Sequence, residues 1–285
     1  MNTARLTLAT KLNYSVGTIG VQMLASAVTF FLMIFYTDVA MVAPAVASSA
    51  LLIGKIWDTI NDPLFGYMVD RTRSRHGRRR VYLIYGAMPL ALVAAAVWMV
   101  PPGLSPVMAF VWIAVTYTLF DTVLTLVQLP YSAMSAEMTP DYDERTSLTA
   151  YSSFGALLGF VLGTVIMPLV VKLGATPQAG YGMAGGIFGL LAGASLAWVA
   201  WHIKEPAIHA EPVQGVTPWA QIRDAVRCRP FVIMSAGCAM ARIGLTLVTG
   251  TMAYFVVYQL GGTKDDVPKF LGAMLGVVAV SIPLW

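Results

Sequence analysis

The sequence predicts an all-α polytopic membrane protein of about eight helices: six, then a polar connector, then two more. Three observations carry that expectation. Hydrophobic residues make up 58% of the 285 residues and charged residues 11%, where a soluble domain typically carries about 25% charged. Mean hydropathy is +0.71. The apolar residues gather in eight runs, at about 13–36, 43–69, 81–100, 105–136, 146–173, 180–203, 229–259 and 267–285. Each is close to the roughly 20 residues that cross a hydrocarbon layer as a helix.

No cleavable signal pattern precedes the first run, so it reads as a retained helix. Along it Ser15, Thr18, Gln22, Ser26 and Thr29 recur at helical spacing on one stripe. The second run carries Lys55, Asp58, Asn61 and Asp62, and the fourth carries Asp121, Thr125, Gln128 and Ser132. Lipid penalises such stripes, so all three are expected to face a shared interior. The fifth run has Gly155, Gly159 and Gly163, and the sixth has Gly185, Gly189 and Gly193. Small residues every fourth position let helix backbones approach closely, as fixed packing or as a contact that slides.

The longest polar stretch, about 204–228, separates the sixth and seventh runs. Thr217 can cap a short helix there, with Pro218 at its first position. Trp219, Ile222 and Val226 would share one face and lay that helix on the membrane surface. The expected domains are therefore a six-helix bundle over 1–203, a linker over 204–228, and two helices of an incomplete second bundle over 229–285. The eighth run stops at Trp285 inside apolar sequence, which reads as a fragment lacking four further helices.

A formal charge of +4 could suggest nucleic acid, but the positions of the basic residues argue against it. Arg5, Lys11, Arg71, Arg73, Arg75, Arg78, Arg79, Arg80, Arg145, Lys204, Arg223, Arg227 and Arg229 fall on one side of the expected membrane. Lys172, Lys264 and Lys269 fall on the other. The positive-inside rule then puts the N-terminus in the cytoplasm of a cell bounded by an inner (plasma) membrane. Cys228 and Cys238 have no zinc-like or redox spacing. His76, His202 and His209 sit at helix ends or in loops, away from any mid-membrane relay. No metal-protease motif or activated serine arrangement appears, so no enzyme and no cofactor are expected.

Asp58 and Asp62 are the most informative residues. A spacing of four puts both carboxylates on one helix face, about one turn apart. Like charges so placed repel, and each costs about 2.5–3.5 kcal/mol or more in hydrocarbon. A cation or proton between them relieves both costs, which points to ion-coupled transport. Asp58, Asn61, Asp62 and Thr125 offer only oxygen ligands, suited to a hard cation such as Na+; H+ remains equally open. Lys55 lies one turn before Asp58 and can pair with it. Asp121 and Arg242 are further buried charges that could pair between bundles. In the turn Gly66–Arg80, Asp70 can accept from a helix N-terminus or pair with arginine to hold an inner gate with Arg71. Arg78 to Arg80 read equally well as topology determinants alone.

Several short segments now resemble a known family. They are Lys11-Leu12-Asn13-Tyr14, Tyr36-Thr37-Asp38-Val39, Ile56-Trp57-Asp58 through Asp62-Pro63, Asp70-Arg71-Thr72-Arg73-Ser74-Arg75, Leu129-Pro130-Tyr131 and Glu144-Arg145. Together they are similar to the glycoside–pentoside–hexuronide:cation symporters, the melibiose permease family of the major facilitator superfamily. The likeness is clear over the first five helices and thins afterwards. It implies a major facilitator fold and a cation site at Asp58, Asn61, Asp62 and Thr125. It implies the sugar site less fully. Family aspartates on the first and fourth helices correspond to Gln22 and Gln128, a tryptophan to Ser132 and an arginine to Ser153. Glutamine still bonds hydroxyls through donor and acceptor atoms. The expected function is cation-coupled symport of a sugar or glycoside, with Gln22, Asp121, Gln128 and Ser153 as solute contacts. Relatives on this scaffold carry lysolipids, so an amphiphile is the alternative cargo. A non-transporting truncated membrane protein is the alternative of another class.

Overall fold

The computed structural model describes residues 6–203 and 218–254, with residues 259 and 277. Chain contacts divide it into two compact units, Met1–Pro212 and Val213–Trp285. The first holds α1 (Leu8–Ile34, continued by a π-helical turn over Phe35–Val39), α2 (Pro44–Arg71), α3 (Arg80–Val97), α4 (Pro106–Met138), α5 (Tyr142–Val171) and α6 (Pro177–His202). The second holds α7 (Pro218–Arg227) and α8 (Arg229–Tyr254). The expected cap at Thr217, the surface face of Trp219 and Ile222, His209, and the eighth run at 267–285 except residue 277 lie outside the described residues or side chains.

Local chemistry sets the helix starts. Thr7, Ser105, Asp141 and Thr176 each accept a hydrogen bond from the backbone N–H three residues on, satisfying a donor that the helix leaves free. Pro44, Pro106 and Pro177 occupy first helical positions, where a missing N–H costs nothing. Thr7, Asp141 and Thr176 lie outside the apolar runs. That is why α1 begins at Leu8 and α5 at Tyr142, four or five residues before hydropathy alone places them.

Among the described residues, five helices are long and apolar enough to cross a membrane: α1, α3, α4, α5 and α6. At 28 residues α2 matches them in length but not in apolarity. In α2 the charges responsible are Lys55, Asp58, Asp62 and Asp70.

Glycine determines which helices touch. A Cβ on Gly155 would lie 2.9 Å from the Ser15 carbonyl oxygen, and Cβ atoms on Gly159 and Gly163 would overlap the carbonyls of Ile19 and Met23. The contacts rise together in number, so α1 and α5 run parallel with backbones nearly touching. On α6, Gly185, Gly189 and Gly193 meet in descending order Trp98, which caps α3, and then Ala94 and Ala87 within it, an antiparallel pair. Both stripes are packing surfaces here.

That packing absorbs part of the α1 polar stripe, which does not open onto one shared interior as expected. Ser15 bonds the Lys11 carbonyl, Ser26 reaches the Met23 and Phe160 carbonyls, and Thr29 bonds Ala25. Hydroxyls so engaged satisfy themselves inside the helix pair. Thr18 instead meets the Tyr131 hydroxyl at 2.6 Å. Tyr131 stacks on Tyr14 with ring centroids 4.7 Å apart, and each hydroxyl donates to the other's backbone carbonyl. This reciprocal clamp ties α1 to α4 just beyond Pro130.

At the arginine-rich end, Glu137 on α4 accepts from both Arg78 and Arg79, the latter at 2.9 Å. Arg79 also lies 3.9 Å from Asp70, and Arg80 donates to the Ala200 carbonyl of α6 at 2.7 Å. These three arginines therefore hold helices together, beyond any part in topology. Arg71 stacks on Tyr67 of its own helix, 4.0 Å from the ring centroid. Lys11 pairs with Glu144 at 2.9 Å.

Two measurements check this account. Gly159→Ala should lower the melting temperature in detergent, at a cost of about 1–3 kcal/mol for overpacking. Gly186→Ala, whose Cβ would meet only Ala95 at 3.9 Å, should leave it unchanged or raise it. Glu137→Gln should destabilise the protein clearly more than Arg73→Gln on the exposed part of the same loop, because it strips the carboxylate from the buried Arg79.

Candidate functional site

The charged residues of interest meet where α2 and α4 run side by side. A Cβ on Gly54 would overlap the ring of Tyr117. One residue on, the Lys55 ammonium is 3.5 Å from Asp121 Oδ1. The Trp57 indole N–H donates to Thr122 Oγ1 at 2.9 Å, and Asp62 interacts with the Thr125 hydroxyl. Numbers rise together on both helices, so they run parallel and one register fixes the whole seam.

Lys55 is central to it. Its ammonium lies 3.5 Å from Asp58 Oδ2 as well as from Asp121, and 5.7 Å from the centroid of the Tyr117 ring. Side-chain exposures are 57% for Lys55, 32% for Asp58 and 8% for Asp121. Asp121 Oδ2 is buried without a hydrogen-bond partner. The expected Lys55–Asp58 pair is thus present, with a second carboxylate on the same ammonium. Arg242, the other candidate partner of Asp121, lies on α8 in the second unit.

The four expected oxygen ligands do not behave alike. Asp58 is half-buried and Asp62 exposed, one turn apart on the same side of α2. Asn61 is 0% exposed, and neither of its amide atoms has a partner. A step of about 100° per residue turns Asn61 away from Asp62 and into the helix interface. Of the four, Asp58, Asp62 and Thr125 are at least partly exposed. Among the described residues, no group of three or more His, Cys, Asp or Glu gathers as a metal site.

The expected solute contacts divide as well. Asp121 is buried at the seam, whereas Gln128 and Ser153 are exposed on the first unit and Gln22 is half-buried beside Gly159. Ser132 is exposed and bonds its own Leu129 carbonyl. Asp70 reaches Arg79, while Arg71 turns back onto Tyr67. Sequence reasoning missed Trp57, Tyr117 and Glu137. A signal existed for Tyr117, which lies four residues before Asp121 and so on the same helix face. Trp57 adjoins Asp58 but carries no charge pattern, and Glu137 could be matched to its arginines only by tertiary contact.

Comparison with known proteins agrees with this architecture. Residues 13–285 match the family model described as MFS/sugar transport protein. The chain is 32% identical over 284 residues to an uncharacterized symporter of Synechocystis sp., covering 98% of this chain and 49% of that protein. It is 29% identical to the mouse sodium-dependent lysophosphatidylcholine symporter 1, covering 99% of this chain and 59% of the relative. It is also 31% identical to an Escherichia coli protein provisionally named a glycoside/cation symporter, covering 90% and 56%. The chain spans about half the length of these relatives, which are named as transporters and not as enzymes. Five membrane-crossing helices, a seam of paired charges and a family match over nearly the whole chain lead to one assignment: this multi-pass membrane protein belongs to the glycoside–pentoside–hexuronide:cation symporter family of the major facilitator superfamily.

Proposed function

We propose that this chain forms the cation-binding half of a secondary symporter that works by alternating access. The observation that carries the reading is the pair Asp58 and Asp62, one turn apart on α2, with the Thr125 hydroxyl across the seam. A monovalent cation there offsets one of two like charges that hydrocarbon disfavours and relieves their mutual repulsion. Its arrival lowers the cost of carrying this face of the bundle through the membrane, so ion and solute cross together about a midplane site. Carboxylate and hydroxyl oxygens suit Na+, and the same carboxylates can take H+.

The solute would meet polar residues of the first unit, with Gln22, Gln128 and Ser153 as its contacts. Amide and hydroxyl groups bond sugar hydroxyls as donor and acceptor, which supports a glycoside-like solute. The relative named as a lysophosphatidylcholine symporter and the absence of carboxylates at positions 22 and 128 favour an amphiphile as the second reading. Asp70, Arg71 and Arg242 are the proposed gating residues. The basic loop and N-terminus would face the cytoplasm across an inner (plasma) membrane.

Uptake by the full-length protein in vesicles tests this reading. Asp58→Asn and Asp62→Asn should each cut cation-driven uptake at least tenfold while leaving the amount of folded protein unchanged. Uptake that stays cation-dependent in both variants would move the coupling site elsewhere. Competing unlabelled glycosides against lysophosphatidylcholine for the same carrier separates the two cargo readings.

A further inference from the structure

The Lys55 ammonium is held by two carboxylates of unequal need. Asp121 is the more buried of the two, with a side chain 8% exposed, whereas Asp58 is 32% exposed. A buried carboxylate demands a lasting counter-charge; a half-exposed one does not. Both contacts measure 3.5 Å, long beside the roughly 2.7–2.9 Å of a charge-assisted hydrogen bond. The ammonium is therefore shared, and committed to neither acid. Asp121 also keeps Oδ2 without a partner, so it has an unused acceptor for a closer approach. Asp58 and Asp121 are themselves near enough to interact, so the transfer needs only a short swing.

The surroundings allow that swing and little else. The close approach of Gly54 to Tyr117 and the Trp57–Thr122 hydrogen bond set the backbones of α2 and α4 on both sides of Lys55. Lysine carries its charge on a flexible four-carbon stem, and the Tyr117 ring flanks the ammonium at 5.7 Å. Rigid helices and one mobile charge make the lysine the moving part.

We infer that Lys55 is a tethered stand-in for the transported cation. It neutralises Asp58 when no ion is bound and withdraws onto Asp121 when one arrives. The inference rests on the cation site at Asp58 and Asp62 proposed above, and it removes Asp121 from the solute contacts. Lys55 and Asp121 are then positioning residues that set cation affinity by competition. Removing the competitor should tighten the site, and removing its resting place should weaken it.

The test is Na+ titration of the full-length protein in detergent, read by tryptophan fluorescence. Trp57, next to Asp58, is the reporter, and its contribution is assigned with Trp57→Phe. Protection of Asp58 from carbodiimide labelling by Na+ gives a second, independent readout. Lys55→Met should raise apparent cation affinity about tenfold, and Asp121→Asn should lower it by a similar factor. The double variant should follow Lys55→Met, since Asp121 acts only through the lysine. If both single variants lose affinity, the lysine is a structural bridge and the inference is overturned. It is overturned equally if Asp121→Asn weakens solute binding with cation affinity unchanged. A wild-type protein that responds to neither Na+ nor H+ in both readouts would overturn the cation site itself, and the inference with it.

Discussion

The seam between α2 and α4 is the constraint on which the rest of the site depends. Gly54 admits the Tyr117 ring where any side chain would collide, and that close approach brings Lys55 within reach of Asp121. The parallel course of the two helices then places Trp57 against Thr122 and Asp62 against Thr125. Slide one helix by a turn and every one of these pairs is lost together. A charge cluster in an apolar bundle is tolerable only if its members satisfy one another. The packing of one glycine is therefore part of the electrostatics.

Elsewhere in the first unit, polar groups serve cohesion. Ser15, Ser26 and Thr29 close onto backbone carbonyls, and Tyr14 and Tyr131 clasp each other's carbonyl oxygens. In an environment as apolar as the helices themselves, burial of hydrocarbon gives little association energy. Close backbone contact and internal hydrogen bonding take over. The glycine stripes on α5 and α6 supply the first and these hydroxyls the second. The arginine-rich loop adds a third element: Glu137 gathers Arg78 and Arg79, so that the turn between α2 and α3 is fastened to α4.

Much of this organisation is legible in the order of residues alone. Apolar runs of spanning length, glycine every fourth residue and two aspartates one turn apart each follow from periodicity, because a helix repeats on its own geometry whatever surrounds it. Family membership was legible too, from the segments around Asp58, Asp70 and Pro130. Helix ends were less so. Caps such as Asp141 and Thr7 extend helices into polar sequence, where a hydropathy reading stops early.

Which neighbours a polar residue meets is set by a second helix, and no local pattern contains it. Asn61 and Asp62 are adjacent in the chain, yet one is sealed in an interface and the other exposed, because a step of about 100° separates them on the helix. Thr18 and Ser26 share a stripe, yet one meets a tyrosine of α4 and the other a carbonyl of α5. Asp121 could be identified as a charge needing a partner, but its proximity to Lys55 arises from residues 66 positions apart in the chain. Helical periodicity assigns each side chain a direction, while the register and crossing of packed helices decide what stands in that direction.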